Sequence, residues 1–270
     1  MSPSLGTVVI TGAAGRIGNV LRHALQDEVR HLVLIDRVPL TAQSPVERVI
    51  RLDLADLDAV VSAFEGADVV VHLAGLPDEA PLAELLNANV LGTFHVLEAA
   101  RRQQVDRVVI ASSNRVTGFH PVEKIVNPDD PVRPDGFYGV SKVAVEALAR
   151  LYADKFALSV VCLRIGSFED RPDDVRYLAT WLSPRDCLGF IRAAMTAPSV
   201  PFAIAYAVSA NTRRFRDLDA GTQLGYTPVD NADDHAAHVV GADDPIDYSA
   251  PQGGRYASPG TTLTHIHGAP

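Results

Sequence analysis

The chain has 270 residues, 47% hydrophobic and 21% charged, which is ample material for a core and shows no bias toward disorder. Its net charge of −9 argues against a nucleic-acid backbone as partner. No apolar run reaches the roughly 18 residues of a membrane span, and Met1-Ser2-Pro3-Ser4-Leu5-Gly6 lacks the basic region and apolar core of a signal peptide.

Cys162 falls in an apolar strand and Cys187 in an expected helix, so no disulfide framework is present. Two isolated thiols suit a reducing compartment, and a cytoplasmic protein is expected.

Thr7-Val8-Val9-Ile10 is a run of β-formers that ends at Thr11-Gly12-Ala13-Ala14-Gly15-Arg16-Ile17-Gly18. Helical periodicity follows, with Ile17, Val20, Leu21, Ala24 and Leu25 on one face. Strand, glycine turn and helix form the context of a dinucleotide fingerprint, in which a pyrophosphate sits on the helix N-terminus. Gly12, Ala14, Gly15, Arg16, Ile17 and Gly18 are therefore candidate cofactor contacts. The second predicted strand, His31 to Ile35, ends in Asp36, 18 residues beyond Gly18. That is near the spacing of an acid that grips an adenosine ribose. A plain glycine turn with a surface Asp is the alternative, and the spacing and flanks favour the cofactor. Arg37 follows directly. A carboxylate repels a 2′-phosphate and a guanidinium attracts one; with the carboxylate deciding, NAD is expected rather than NADP.

Val49 to Leu54 reads as a third strand whose Asp53 could meet the adenine amino group, with Leu54 beside it. Leu57 to Phe64 is helical. Val69 to Leu73 is a fourth strand that closes at Ala74-Gly75, adding Leu73, Ala74 and Gly75 to the cofactor contacts. Leu82 to Ala100 is a long predicted helix containing Asn89, another candidate. Arg107 to Ala111 is a fifth strand, delivering Ser112-Ser113-Asn114-Arg115 at its end. Leu158 to Arg164 is a sixth, followed by Ile165-Gly166-Ser167. Strands and helices alternate and the strands are apolar throughout, so a doubly wound parallel α/β sheet is expected, covered on both faces. Ligands then bind at the strand C-terminal ends, where Gly12, Asp36, Gly75, Ser113 and Gly166 all fall.

Beyond Arg164 the regularity fades. Residues 1–166 are expected to form the dinucleotide-binding core. Residues 167–250 would be a small substrate-binding lobe interleaved with it, and 251–270 a tail that wraps the surface or frays. Within the lobe a helix runs to about Met195, Phe202 to Val208 is a strand, and Thr212 to Leu224 a short helix. His265-Ile266-His267 has no acidic or Cys partner nearby, so no metal site is expected.

Phe137-Tyr138-Gly139-Val140-Ser141-Lys142 opens an Ala- and Leu-rich stretch that reads as helix. Tyr138 and Lys142 are then i and i+4 on one face. A cation one turn away lowers the pKa of a phenol, which can then take a proton from a substrate hydroxyl. The chain holds 24 Lys and Arg together, of which only Lys124, Lys142 and Lys155 are lysines. A lysine at this position is therefore informative. Taken alone, the pair could equally sit on an ordinary amphipathic helix.

Together these motifs resemble the extended short-chain dehydrogenase/reductase superfamily. They are the glycine turn, His72-Leu73-Ala74-Gly75, Asn89 with Gly92-Thr93, Ser112-Ser113, and Tyr138-Gly139-Val140-Ser141-Lys142. A closer likeness is to the uronate dehydrogenases. It is carried by Ala111-Ser112-Ser113-Asn114, Arg133 to Lys142, Arg164 to Ser167, Trp181-Leu182-Ser183, Ser209-Ala210-Asn211 and Gln252-Gly253-Gly254. The resemblance implies NAD-dependent oxidation of the anomeric carbon of a hexuronic acid to a lactone. It assigns Tyr138 as base, Lys142 to the ribose and to Tyr138, and Ser113 to the reacting oxygen. It assigns Asn114 and Ser167 to sugar hydroxyls and Arg176 to the uronate carboxylate; a surface ion pair of Arg176 with Asp173 or Asp174 is the alternative. Ile165 would border the cofactor.

Two positions depart from the family. Arg115 stands where His is usual and would add a second cation, and Pro77 stands where Ser is usual and removes a donor. An aldose or a sugar phosphate therefore stays open as substrate. A nucleotide-sugar epimerase or dehydratase, and a cofactor-sensing regulator, are the competing readings. A homo-oligomer is expected.

Overall fold

The computed structural model describes residues 5–266. Met1 to Ser4 and His267 lie outside the described residues, and with them part of the amino-terminal and metal readings made above.

Seven parallel strands form one sheet in the order β3-β2-β1-β4-β5-β6-β9. They are β1 (Leu5–Thr11), β2 (Val29–Asp36), β3 (Glu47–Arg51), β4 (Val69–His72), β5 (Arg107–Ser113), β6 (Ser159–Ile165) and β9 (Phe202–Ala207). The order reverses between β1 and β4, which opens the crevice where doubly wound sheets bind ligands. The helices are α1 (Arg16–Ala24), α2 (Leu57–Ala63), α3 (Leu82–Leu85), α4 (Gly92–Arg102), α5 (Phe137–Phe156), α6 (Tyr177–Thr180), α7 (Pro184–Thr196), α8 (Asp219–Leu224) and α9 (Pro259–Leu263). Two residue pairs, β7 (Ser167–Phe168) and β8 (Trp181–Leu182), form a small separate ladder.

The strands are buried on both faces because each face carries its own apolar layer. One layer packs Val8, Ile10, Leu32 and Val161 against Leu21, Phe190 and Ile191 of α1 and α7. The other packs Val9, Val70 and Val108 against Val60, Val96 and Val145 of α2, α4 and α5. The last strand, β9, and α7 thus belong to the same core as the amino-terminal half. Among the described residues, no helix is long and apolar enough to cross a membrane.

Three segments differ from the sequence reading. The stretch from Leu82 to Arg102 is helical throughout, but Leu86–Leu91 is a π-helical segment between α3 and α4. A helix was expected from Thr212, yet α8 begins at Asp219. The preceding residues are held in turns instead: Arg213 pairs with Asp233 and Arg216 reaches back to the carbonyl of Asn114. The stretch after 250 does not simply cover the surface. Gln252 is buried and donates to the carbonyls of Pro121 and Lys124, which draws Gly254–Ala257 toward the strand ends.

Candidate active site

A cavity of about 720 Å³ opens at the C-terminal ends of the strands. At one end lies the glycine turn. Gly12 adopts φ +73, and a Cβ there would stand 2.6 Å from the amide nitrogen of Ala74, so only glycine lets β1 and β4 release their chains this closely. Asp36, at the end of β2, accepts hydrogen bonds from the amides of Ala14 and Val38, each at 2.9 Å. Its carboxylate is thereby fixed beside the turn. Ala14, Gly15, Ile17, Gly18, Arg37, Asp53, Leu54, Leu73, Ala74, Gly75 and Ile165 join Gly12 and Asp36 on the wall of this half. This constellation fits a dinucleotide: a glycine-lined helix start for phosphates and a fixed acid for a ribose.

Two expected cofactor contacts are engaged differently. Arg16 lines the cavity but forms a two-pronged pair with Glu169 at 2.8 and 2.6 Å, with its guanidinium over the ring of Phe168. Asn89 does not reach the cavity wall. It is buried behind it in the π segment, accepting from the amide of Leu76 at 2.7 Å and donating to its carbonyl at 3.2 Å and to the Ser141 hydroxyl at 3.0 Å. It ties the turn after β4 to α5.

The catalytic candidates converge where β5 meets α5. Ser113 is the last residue of β5, and Tyr138 lies in the first turn of α5. Lys142, one turn on, donates from Nζ to the carbonyl of Ala111 at 2.8 Å, and Nζ lies 5.7 Å from the centre of the Tyr138 ring. Both side chains are buried. Burial pushes the Tyr138 phenol up to about 12, while a hydrogen bond from Ser113 and the charge of Arg115 pull the other way. Burial also draws Lys142 down to about 8. The expected lowering of Tyr138 by Lys142 is therefore not the governing effect here. Desolvation outweighs it, and the nearer influences are Ser113 and Arg115.

Arg115 was expected to bring an additional cation to the sugar pocket. Its charge is instead consumed by three acids: Nε pairs with Asp135 at 2.8 Å, Nη1 with Asp78 at 3.0 Å and Nη2 with Glu79 at 2.9 Å. Glu79 accepts in turn from the amides of Phe137 and Tyr138, at 2.6 and 3.3 Å, capping the helix that carries the candidate base. The Arg115 guanidinium lies 5.2 Å from the Tyr138 ring centre and 4.0 Å from that of Tyr256. Pro77, Asn114, Ser167 and Arg176 complete this end of the cavity, together with Tyr256. Ser167 shares a hydrogen bond with Thr180 at 2.8 Å. Arg176 does not pair with Asp173 or Asp174 through its side chain: Nε donates to the carbonyl of Gln252 at 2.9 Å, and Nη2 is buried with no partner among the described residues.

Sequence reasoning missed Glu79 and Tyr256. Glu79 stands 58 residues from the helix start it caps, and Tyr256 lies in a segment without periodicity, so neither carried a local signal. Among the described residues, no group of three or more His, Cys, Asp or Glu is placed to hold a metal.

The model of the NAD dependent epimerase/dehydratase family matches residues 8–171. Uronate dehydrogenase of Pseudomonas putida is 38% identical over 259 residues, covering 94% of this chain and 96% of that one. L-arabinose 1-dehydrogenase (NAD(P)(+)) of Haloferax volcanii is 37% identical, covering 84% and 98%. Among solved structures, a mutant of uronate dehydrogenase from Agrobacterium tumefaciens complexed with NAD superimposes with a TM-score of 0.88 at 37% identity, covering 94% of this chain and 97% of that one. The chain belongs to the NAD dependent epimerase/dehydratase family and is an NAD-dependent dehydrogenase acting on a CH–OH group.

Proposed function

We propose that the protein oxidises the C1 hydroxyl of a cyclic hexuronic acid to the lactone, with Tyr138 as the base. The observation that carries this reading is the pairing of two features in one cavity. Ser113, Tyr138 and Lys142 line it, and so does Arg176, whose Nη2 is buried without a partner among the described residues. The similarity to uronate dehydrogenases over nearly the whole chain supports it.

NAD supplies the acceptor for the hydride that leaves C1. The chain's own residues do the rest. Ser113 holds the reacting oxygen, and the Tyr138 phenolate accepts its proton. Lys142, pinned to the carbonyl of Ala111, keeps a positive charge beside that phenolate. Asn114 and Ser167 hold sugar hydroxyls, and the planar Arg176 guanidinium binds the carboxylate through two hydrogen bonds. Fixing both ends of the sugar aligns C1 for transfer. Pro77 offers no hydroxyl to the ring, so recognition rests more heavily on the carboxylate.

The test follows NADH absorbance with hexuronates, the matching neutral hexoses and pentoses. A hydrogen bond to a charged group contributes about 1.5–3 kcal/mol, so kcat/KM for a hexuronate should exceed that for its neutral counterpart at least about tenfold. Tyr138→Phe should keep NAD binding and lower turnover by ~10²–10⁴-fold. A preferred neutral sugar would overturn the substrate, and a Phe variant within a few-fold of wild type would overturn the base.

A further inference from the structure

Seven buried side-chain nitrogen and oxygen atoms lack a hydrogen-bond partner among the described residues, and six of them gather behind the sugar end of the cavity. They are Nδ2 of Asn114, Nη2 of Arg176, Nε and Nη1 of Arg216, Oδ2 of Asp135 and Oε1 of Gln252. Arg176 and Gln252 are hydrogen-bonded to each other through the Gln252 carbonyl, and Asp135 abuts Gly253. Arg216 is 0% exposed. Its Nη2 donates to the carbonyl of Asn114 at 3.2 Å, which places it directly behind a residue of the cavity wall. Rings of Tyr206 and Phe215 flank it at 5.1 and 4.9 Å.

Neither Arg176 nor Arg216 has a carboxylate within ion-pair distance among the described residues. The one acid nearby, Asp135, is already bonded to Arg115. A buried guanidinium without an ion-pair partner carries a large desolvation cost, and here burial pulls Arg216 down to about 10, with Arg176 and Arg164 as like charges adding to it and Tyr206 and Asp135 opposing it. Among these atoms donors outnumber acceptors by four to two. What the two arginines lack is hydrogen-bond acceptors within reach. One ionised carboxylate supplies them, since its two oxygens offer about four lone-pair sites.

We propose that Arg216 is a second, hidden cation of the substrate site, and that a carboxylate entering between Asn114 and Arg176 is held from behind by Arg216. The inference rests on the anionic-sugar reading above and extends it: the site is built for a carboxylate-bearing sugar by two arginines, one in the wall and one beneath it. Arg216 is a specificity-determining residue and takes no part in proton or hydride transfer.

The experiment compares wild type, Arg216→Met, Arg216→Gln and Arg176→Ala. It measures the thermal midpoint of the NAD-bound protein and KM for a hexuronate, the neutral hexose and the hexose 6-phosphate. Removing an uncompensated buried charge should raise the midpoint of both Arg216 variants in the absence of sugar. KM for the hexuronate should rise at least tenfold, while that for the neutral hexose stays within twofold. A hexose phosphate bound by wild type more tightly than the hexuronate would overturn the carboxylate. So would an unchanged hexuronate KM in the Arg216 variants, or an equal loss with neutral sugar. Failure of both variants to fold would overturn it too, by assigning the guanidinium to the fold, through its bond to the Asn114 carbonyl, rather than to the ligand. If Arg176→Ala impairs neutral and anionic sugars alike, the underlying reading fails. If Arg176→Ala is selective and Arg216 substitution is silent, only the present inference fails.

Discussion

As the proposed base, Tyr138 must lose its proton against its own burial, and the residues that would help it are not all the ones its helix suggested. The i, i+4 spacing to Lys142 was legible in the sequence, and the two side chains do share a face. Lys142, however, is buried as deeply and is itself drawn down to about 8. Arg115, three acids around it, is a second cation over the ring, 5.2 Å from its centre against 5.7 Å for Lys142. Arg115→Met should therefore shift the ascending limb of the kcat–pH profile to higher pH, with kcat at neutral pH falling about tenfold or more. Loss of Arg115 also leaves Glu79 and Asp135 without their counter-charge beside the phenol, which acts in the same direction. An unmoved limb would show that Arg115 only holds the fold. As a residue type out of place, Arg115 was visible in the sequence. Its neutralisation was not, because Asp78, Glu79 and Asp135 approach it only through the folded chain.

At the scale of elements, the helical stretch from Leu82 to Arg102 shows what periodicity can and cannot convey. Its apolar spacing marked a helix from Leu82, but nothing in the residue types marked Leu86–Leu91 as π. A π segment is one residue of slack in the hydrogen-bond register, set by what the side chains must reach; such segments cluster at functional sites. Here the slack aims Asn89 at both the turn after β4 and Ser141 of α5. Asn89→Ala should leave the Leu76 amide and carbonyl without these bonds, and Ser141 with only its bond to the Tyr138 carbonyl, at a cost of about 1–3 kcal/mol. KM for NAD should rise because the turn at Ala74-Gly75 is loosened, while Tyr138 stays in place. Calorimetry and NAD titration check this; an unchanged NAD affinity would confine Asn89 to stability. The missed start of α8 has a related cause: Arg213 and Arg216 make distant hydrogen bonds that a helix from Thr212 would break.

The molecule as a whole was legible where its logic is local and repeated. Apolar strands alternating with helices specified a parallel sheet, and the turn and acid positions pointed to the strand ends where Gly12 and Asp36 do meet on one cavity wall. Long-range pins are less legible. His72 accepts from the Thr11 hydroxyl at Nδ1 and donates from Nε2 to Thr93, whose own hydroxyl donates to the carbonyl of Asn89. It thus joins β1, β4 and α4 as a neutral ring, and burial holds it down to about 3. The unfolded ring titrates near 6.5, so this stability is fully present above that value and is lost as pH falls toward 3. Over that window the protein should lose about 1.4 kcal/mol per pH unit to this group. The thermal midpoint of His72→Gln should be less sensitive to pH between 6.5 and 4 than that of wild type; an equal slope would assign acid lability elsewhere.

The return of residues 252–256 to the cavity has a consequence for how the enzyme comes into being on the ribosome. The sheet's last strand closes at Ala207, and every wall residue of the cofactor half precedes it. Gln252, which orients Arg176, and Tyr256, which covers Arg115, emerge some fifty residues later. A nucleotide bound to that wall can thus stabilise the folded chain by mass action before Gln252 and Tyr256 have been added. What those later residues add is the backbone carbonyl that orients Arg176 and the ring that covers Arg115, so a chain interrupted between Ala207 and Gln252 would keep the wall of the cofactor half and lack both supports.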